Sequence, residues 1–269
     1  RKYIKMLATT KVYGCIAHPI DHVKAPTLFT SIFNKKKIDA IMIPIHVYPE
    51  NLENVVNSLK LVRNFHGMTV TIPHKQSISK LCKKLDDDAL FTGAVNWIKF
   101  DEHRNLIGNN FDGKGFINGF LGQNYILKDK RVCIFGAGGA AVAIAYALTD
   151  ANIKSLKIIN RNVNKAFDLK EKLTIKHKSL SVDVSNVDNY ILDDCDVIIN
   201  ATSLGLRDGD QIPFDVDKTT KNSIIADIIM QPNDTKLLKT AKNLGRSIHY
   251  GKYMIESQID LVGQFLEIW

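Results

Sequence analysis

The sequence predicts an α/β protein with two α/β domains, the second of which is a doubly wound parallel sheet. Strand and helix patterns alternate along the chain, as is typical of strands connected by covering helices. The strand candidates after residue 131 are mostly continuous apolar runs, which a parallel sheet covered on both faces requires. A chain of 269 residues is long enough to form two hydrophobic cores. We therefore expect two domains with an active-site cleft between them.

The first 111 residues alternate short apolar strands with helical segments. Pro26 favours the start of a helix, because proline is well accommodated in the first helical turn, and Pro73 ends a strand. The polar segment Glu102–Asn105 separates two strands and predicts a hairpin. The patterns predict strands at 12–16, 40–45, 68–72, 95–100 and 106–108, and helices at 26–33, 52–62, 76–85 and 112–121.

The remainder of the chain repeats a strand–helix–strand pattern, which predicts parallel pairing. The predicted strands are 132–135, 156–159, 181–184, 197–200, 224–227 and 247–250. The final stretch, 254–269, has the apolar periodicity of a helix.

The most informative segment is a glycine-rich turn between the strand Val132–Phe135 and the alanine-rich helical segment 142–148. Gly136 suits the tight turn, Gly138 lets the backbone approach a pyrophosphate, and Ala141 lets the helix pack closely on its strand. The helix N-terminus then presents N–H groups to the phosphates. The segment predicts a dinucleotide site of the Rossmann type, and the alternative is a glycine turn without a ligand. The residues of the turn are Gly136, Ala137, Gly138, Gly139 and Ala140.

The end of the next strand indicates which dinucleotide binds. An NAD site usually carries an acidic residue about 20 residues after the glycines, on the ribose 2′-hydroxyl. Here Asn160, Arg161 and Asn162 follow the strand, then Lys165, and no acid is present among them. Arg161 and Lys165 suit a 2′-phosphate, the former through a planar two-pronged contact. We predict NADP rather than NAD; the alternative is a solvated basic turn.

Composition argues against several other classes of protein. No apolar run is long enough to cross a membrane. The net charge of +8 comes from scattered lysines without a basic, aromatic-rich stripe, which favours anionic ligands over nucleic acid. The four cysteines lack metal-binding spacing, so we expect no metal site and free thiols in a reducing cytoplasm. No signal-like apolar segment follows Arg1, which also favours a cytoplasmic protein.

Six motifs, in order along essentially the whole chain, resemble those of the shikimate dehydrogenase family. The first corresponds to the family's Gly-x-Pro-Ile-x-His-Ser-Lys-Ser-Pro, and the second to its Asn-Val-Thr-Val-Pro-Phe-Lys. The resemblance implies a substrate-binding and catalytic domain formed by 1–111 plus 252–269, and an NADP-binding Rossmann domain formed by 112–251. The matching segments are Ala17–Pro26, Thr69–Lys75, Gly93–Trp97, Gly108–Gly113, Asn200–Ser203 and Tyr250–Gln258.

The resemblance also implies roles for single residues. Lys75 and Asp112 correspond to the catalytic pair, since a lysine beside a carboxylate can take the hydroxyl proton or polarise the carbonyl in reverse. Taken alone, Lys75 would be an exposed lysine at a helix start and Asp112 an ordinary helix N-cap. Thr202 and Gly251 correspond to further cofactor residues. Three residues correspond to those that bind substrate hydroxyls: Thr71, Asn96 and Gln258.

The chain departs from the family pattern mainly where the substrate carboxylate is bound. Two hydroxyl-bearing residues are replaced by Val23 and Ala25. Losing two hydrogen bonds to a charged group costs about 1.5–3 kcal/mol each, which predicts roughly 10²-fold weaker shikimate binding or more. Lys24 or His22 is the alternative anion contact. Three further departures are Phe111 for Thr, Met230 for Tyr and Tyr250 for Asp.

We therefore expect an NADP-dependent oxidoreductase that interconverts 3-dehydroshikimate and shikimate, or a related cyclic hydroxy acid, as a monomer or homodimer. Two alternatives remain. One is a dehydrogenase for a different cyclic alcohol, such as one without a carboxylate; the other is a catalytically idle NADP-binding metabolite sensor. Retention of Lys75 and Asp112 argues against the idle protein, because folding does not require that pair.

Overall fold

The computed structural model describes residues 6–21 and 23–269, which form two compact units. The first unit consists of Arg1–Phe111 with Leu261–Trp269, and the second is Asp112–Asp260. Residues 252–260 thus belong to the second unit, whereas the sequence grouped all of 252–269 with the first. The reason is local: Gly115 and Gly119 leave no room for a Cβ atom against the backbone of Met254 and Tyr253, so these helices pack closely.

The strands have the following bounds: β1 Lys11–Ala17, β2 Ala40–His46, β3 Phe65–Val70, β4 Lys84–Leu85, β5 Trp97–Phe100, β6 Leu106–Asn109, β7 Arg131–Phe135, β8 Ser155–Ile159, β9 Ser181–Ser185, β10 Val197–Asn200, β11 Ile224–Asp227 and β12 Ser247–His249. The α-helices are α1 Ala25–Lys36, α2 Leu52–Leu59, α3 Lys75–Ser79, α4 Asp87–Thr92, α5 Asp112–Gly122, α6 Gly139–Asp150, α7 Val163–Lys176, α8 Lys236–Asn243, α9 Lys252–Glu256 and α10 Ile259–Phe265. Short 3₁₀ turns occur at Pro49–Asn51 and Val216–Lys218.

The sheet of the first unit has the strand order β2-β1-β3-β5-β6-β4. β1 pairs in parallel with β2 on one side and β3 on the other, while β5 is antiparallel to both β3 and β6. The predicted β5–β6 hairpin is confirmed. From β1 the chain crosses to β2 on one side of β1, and from β2 it crosses to β3 on the other side of β1. The strand order therefore reverses between β1 and β3. Ligands of open α/β sheets bind at such points, beyond the carboxyl ends of the strands.

Two predicted helices differ from the structure. The predicted helix 76–85 ends at Ser79, because Lys83 N–H donates to Leu106 O at 2.9 Å and the chain then pairs with β6 as β4. Asp86 caps α4, which the sequence did not predict, by accepting from Ala89 N–H at 2.9 Å. The predicted helix 254–269 is divided between α9 and α10.

The sheet of the second unit is entirely parallel, in the order β12-β11-β10-β7-β8-β9. This is the strand order of dinucleotide-binding folds, with its reversal between β7 and β10. The predicted Rossmann-type domain is therefore confirmed. Among the described residues, no helix has the length and apolarity needed to cross a bilayer. The same residues contain no group of three or more histidine, cysteine or acidic side chains arranged to hold a metal ion.

Candidate functional site

The glycine turn lies at the reversal point of the second sheet, between the ends of β7 and β10. Gly136 has a φ of +114°, which side chains other than glycine rarely adopt, and a Cβ there would lie 2.8 Å from Ala201 O. Gly138 and Gly139 are exposed, and a Cβ on either would meet no atom within 4 Å. The turn therefore combines a tight bend with open space before the first turn of α6, as a pyrophosphate group requires.

The turn after β8 separates residues that shape the backbone from residues that face solvent. Asn162 caps α7, since its Oδ1 accepts from Asn164 N–H at 3.1 Å, and Asn160 Nδ2 donates to Asn162 O at 2.7 Å. Arg161 and Lys165 are exposed. This turn can thus present two cations to a phosphate while the asparagines stabilise its shape.

The loop after β10 is fixed by a buried polar network. Asn200 Oδ1 accepts from both the N–H and the hydroxyl of Thr202, at 3.1 and 2.7 Å. Asn200 Nδ2 donates to Asp227 Oδ1 at 3.1 Å. Burial raises the pKa of Asp227 to about 6, although three hydrogen-bond donors act in the opposite direction. Thr202 was predicted to bind cofactor, whereas the sequence did not identify Asp227 as part of this site; the signal was a polar residue ending an otherwise apolar strand.

Gly251 has a packing requirement of its own. A Cβ at this position would lie 2.5 Å from the carbonyl carbon and oxygen of Ile228. Its φ of −61° is ordinary helical geometry. The absence of a side chain at Gly251 is therefore explained by the backbone that follows β11.

In the first unit, two predicted site residues follow β3, one of the two strands at the reversal point. Thr71 comes after β3 and its N–H donates to Ile16 O at 3.0 Å, which attaches it to β1. Lys75 is half-buried at the start of α3, and its carbonyl accepts from Val95 N–H at 2.9 Å. The structure thus brings Thr71 and Lys75 to the carboxyl edge of this sheet, where a ligand is expected.

Asn96 connects the end of β3 to Phe111 through hydrogen bonds. It is buried, its carbonyl accepts from Val70 N–H at 2.8 Å, and its Oδ1 accepts from Phe111 N–H at 2.9 Å. The side-chain oxygen therefore fixes the residue immediately before Asp112 in the chain.

Asp112 and Gln258 lie together in the second unit. Both are buried, and Gln258 Nε2 lies 3.5 Å from Asp112 Oδ1. Gly115 makes this possible, because a Cβ there would lie 2.8 Å from Gln258 Nε2 and 2.4 Å from Met254 O. These contacts place the predicted catalytic carboxylate beside one of the predicted substrate residues.

Val23 and Ala25 are half-buried and pack against an apolar cluster of the first unit. Phe111, which stands where the family has threonine, is buried in the same cluster, as is Trp97. Lys24 is exposed, and His22 lies outside the described residues. Neither Val23 nor Ala25 offers a side-chain donor to a carboxylate.

Two family models match the chain. Residues 15–98 match the family model described as shikimate dehydrogenase substrate binding domain. Residues 121–228 match the model described as shikimate / quinate 5-dehydrogenase.

Individual relatives extend over nearly the full chain. An NADP(+) shikimate dehydrogenase of Methanobrevibacter smithii is 34% identical over 97% of this chain and 92% of its own. A crystal structure of a shikimate dehydrogenase in complex with NADP+ is 33% identical, with a TM-score of 0.91 over 97% of this chain and 91% of its own. The ligand-free 5-ketofructose reductase of Gluconobacter sp. strain CHM43 is 29% identical, with a TM-score of 0.88 over 96% of this chain and 92% of its own.

These similarities confirm the predicted fold class and the prediction of an NADP-dependent oxidoreductase. They match both units of the chain rather than the nucleotide-binding unit alone. The chain belongs to the shikimate dehydrogenase family.

Proposed function

We propose that this protein interconverts a ring ketone and the corresponding secondary alcohol with NADP, and that 3-dehydroshikimate and shikimate, or a related cyclic hydroxy acid, are the substrate pair. One observation carries the proposal: the carboxyl edge at the reversal point of each sheet bears the residues this reaction needs. In the second unit these are the glycine turn and Thr202. In the first they are Thr71 and Lys75.

The residues of the second unit fit NADP. The N–H groups of Gly139 and Ala140, at the start of α6, suit the pyrophosphate. Arg161 and Lys165, exposed and without an acidic residue in the same turn, suit the 2′-phosphate. When bound, NADPH would supply the hydride for ketone reduction, and NADP+ would accept it in alcohol oxidation.

Lys75 and Asp112 have the chemistry to handle the proton. In alcohol oxidation, an unprotonated Lys75 side chain can take the hydroxyl proton, and Asp112 supplies a carboxylate that can share it. In ketone reduction, the ammonium group of Lys75 donates a hydrogen bond to the carbonyl oxygen and transfers its proton to that oxygen, which becomes the hydroxyl group. Asn96, Thr71 and Gln258 supply amide and hydroxyl groups that can orient the ring hydroxyls.

The test is NADPH formation by the purified protein with NADP+ and either shikimate or quinate. We expect turnover with at least one of them, and a loss of about 10²-fold or more in Lys75→Ala. Lys80→Ala is the matched control, because Lys80 is an exposed lysine at the other end of α3. Binding of NADP without turnover of any ring alcohol would instead support the idle, metabolite-sensing protein.

A second candidate is a reductase for a hydroxylated ketone without a carboxylate. The apolar surroundings of Val23 and Ala25 favour it, since a carboxylate there would lose hydrogen-bond donors. The similarity to a 5-ketofructose reductase gives a suitable probe. NADPH oxidation with 5-ketofructose, faster than with 3-dehydroshikimate, would establish this candidate over the first.

A further inference from the structure

One buried carboxylate in the second unit receives hydrogen bonds from three different segments. Asp227 Oδ1 accepts from Asn200 Nδ2 at 3.1 Å and from Ile229 N–H at 3.0 Å. Asp227 Oδ2 accepts from the Thr235 hydroxyl at 2.8 Å. Asn200 and Asp227 are also direct register partners in β10 and β11. The carboxylate therefore joins the end of β10, the loop after β11 and the N-cap of α8.

Two of these segments lead to residues assigned to the cofactor. Asn200 uses its other side-chain atom, Oδ1, to accept both hydrogen bonds from Thr202. Ile229 N–H donates to Asp227. The carbonyl oxygens of Ile228 and Ile229 would each lie 2.5 Å from a Cβ atom on Gly251. Asp227 thus has a short hydrogen-bonded or packed path to each of Thr202 and Gly251.

The network requires an acceptor on both oxygen atoms. Asp227 has no solvent exposure, and all three of its partners donate. An amide with its N–H₂ group toward Asn200 and Ile229 would face two donors. With its N–H₂ group toward Thr235, the hydroxyl would have to accept from it and would lose the carboxylate that accepts its proton, and a buried polar group that loses its partner is costly. The network therefore favours a carboxylate over an amide of the same size.

We propose that Asp227 is a positioning residue for NADP, which sets Thr202 through Asn200 and sets the backbone beside Gly251 through Ile229. This inference rests on the proposed function, because Thr202 and Gly251 are cofactor residues in that proposal. Asp227 itself contacts no cofactor atom in this role. Its effect is on the loops that do.

Asp196 provides a matched control in the same sheet. It directly precedes β10, at the opposite end of the strand from Asn200. Its carboxylate also accepts three hydrogen bonds, from Arg131 N–H at 2.8 Å, Nε at 3.1 Å and Nη2 at 3.0 Å. Asp196→Asn therefore disturbs a comparable network at the edge of the sheet away from the glycine turn.

The experiment is a fluorescence titration of the full-length chain with NADPH at about pH 8, where a carboxylate with a pKa near 6 is ionised. We expect Asp227→Asn to raise the Kd for NADPH at least tenfold, and Asp196→Asn to change it less than twofold. The free energy of unfolding of both variants is measured in parallel. The Kd should rise in Asp227→Asn even where the two variants lose the same stability, which a merely destabilised domain would not show.

An unchanged Kd in Asp227→Asn, or equal effects of the two variants on the Kd, would overturn the inference. If Asp227→Asn does not fold, Asn200→Ser retains the carboxylate and removes the amide that connects it to Thr202. It should raise the Kd at least threefold, and an unchanged Kd would refute the role. Failure of the proposed function is distinguishable, because the unmodified protein would then fail to bind NADPH.

Discussion

His249 should make the second unit sensitive to mild acid. It ends β12 and has no solvent exposure, and three aromatic rings, those of Phe116, Phe120 and Tyr253, have centroids 5.3 Å from its own. Neither ring nitrogen has a hydrogen-bond partner among the described residues. Burial lowers the pKa of His249 from 6.5 to about 4, because an imidazolium in these surroundings has no compensating partner.

The sign of the effect follows from this lowered pKa. Above pH 6.5 the imidazole is neutral in both states, and the stability associated with the neutral form is fully present. As the pH falls from 6.5 to 4, the unfolded chain binds a proton first, so the free energy of unfolding decreases. Each pH unit is equivalent to about 1.4 kcal/mol, and the interval between the two pKa values therefore predicts a loss of about 3 kcal/mol.

Asp227 acts in the opposite direction over the same range. Its pKa in the folded protein is raised to about 6, so the folded state binds this proton first as the pH falls. Stability from this group is present at low pH and lost as the pH rises through 6. A pH profile of the unmodified protein alone would therefore partly cancel the effect of His249.

The variant His249→Phe isolates the histidine, because Asp227 is present in both proteins. The free energy of unfolding is measured by urea titration at several values between pH 7.5 and 4. We expect the free energy of unfolding of the variant, relative to that of the unmodified protein, to increase by about 3 kcal/mol as the pH falls across this interval. A difference between the two proteins that does not change with pH would refute the assignment of acid sensitivity to His249.

Three further predictions concern the site. Arg161→Ala should weaken NADP binding at least tenfold and leave NAD binding nearly unchanged, because only NADP carries the 2′-phosphate; titration of both cofactors checks this. Lys75→Ala and Asp112→Ala should each reduce turnover by about 10²-fold or more while the Kd for NADP changes less than twofold, and near-native turnover in either variant would exclude that residue from the reacting centre. The double variant Val23→Ser with Ala25→Ser should raise kcat/KM for shikimate by roughly tenfold or more, equivalent to about 1–3 kcal/mol; efficient turnover of shikimate by the unmodified protein would contradict this reasoning.

The elements predicted well from sequence are those whose signal is local. The strand, glycine turn and helix from β7 to α6 follow from an apolar run, small residues and alanines within a single segment. β4 is different: it has two residues, and it exists because the backbone near Lys83 and Asp86 bonds to β6. The sequence of this segment has no periodic pattern that would predict the pairing.

The same distinction explains which candidate site residues the sequence predicts. Lys75, Thr202 and Asp112 lie in motifs that can be recognised along the chain. Asp227 depends on a register partner, Asn200, in the neighbouring strand, so its role appears only when β10 and β11 are paired. The division between α9 and α10 falls at Ser257 and Gln258, and the side chain of Gln258 packs against Gly115 of α5.

Three of the departures from the family pattern lie in one part of the first unit. Val23, Ala25 and Phe111 stand in two separate motifs, yet all three belong to one apolar cluster. An apolar side chain at each of these positions removes a hydroxyl without leaving a buried polar group unpaired. The glycine turn and Arg161 in the second unit retain the features expected of an NADP site. Three departures thus fall in the unit that carries Thr71 and Lys75, whereas Met230 and Tyr250 are departures in the second unit. Because the double serine variant changes only the first unit, it tests the identity of the substrate rather than the cofactor or the reaction type.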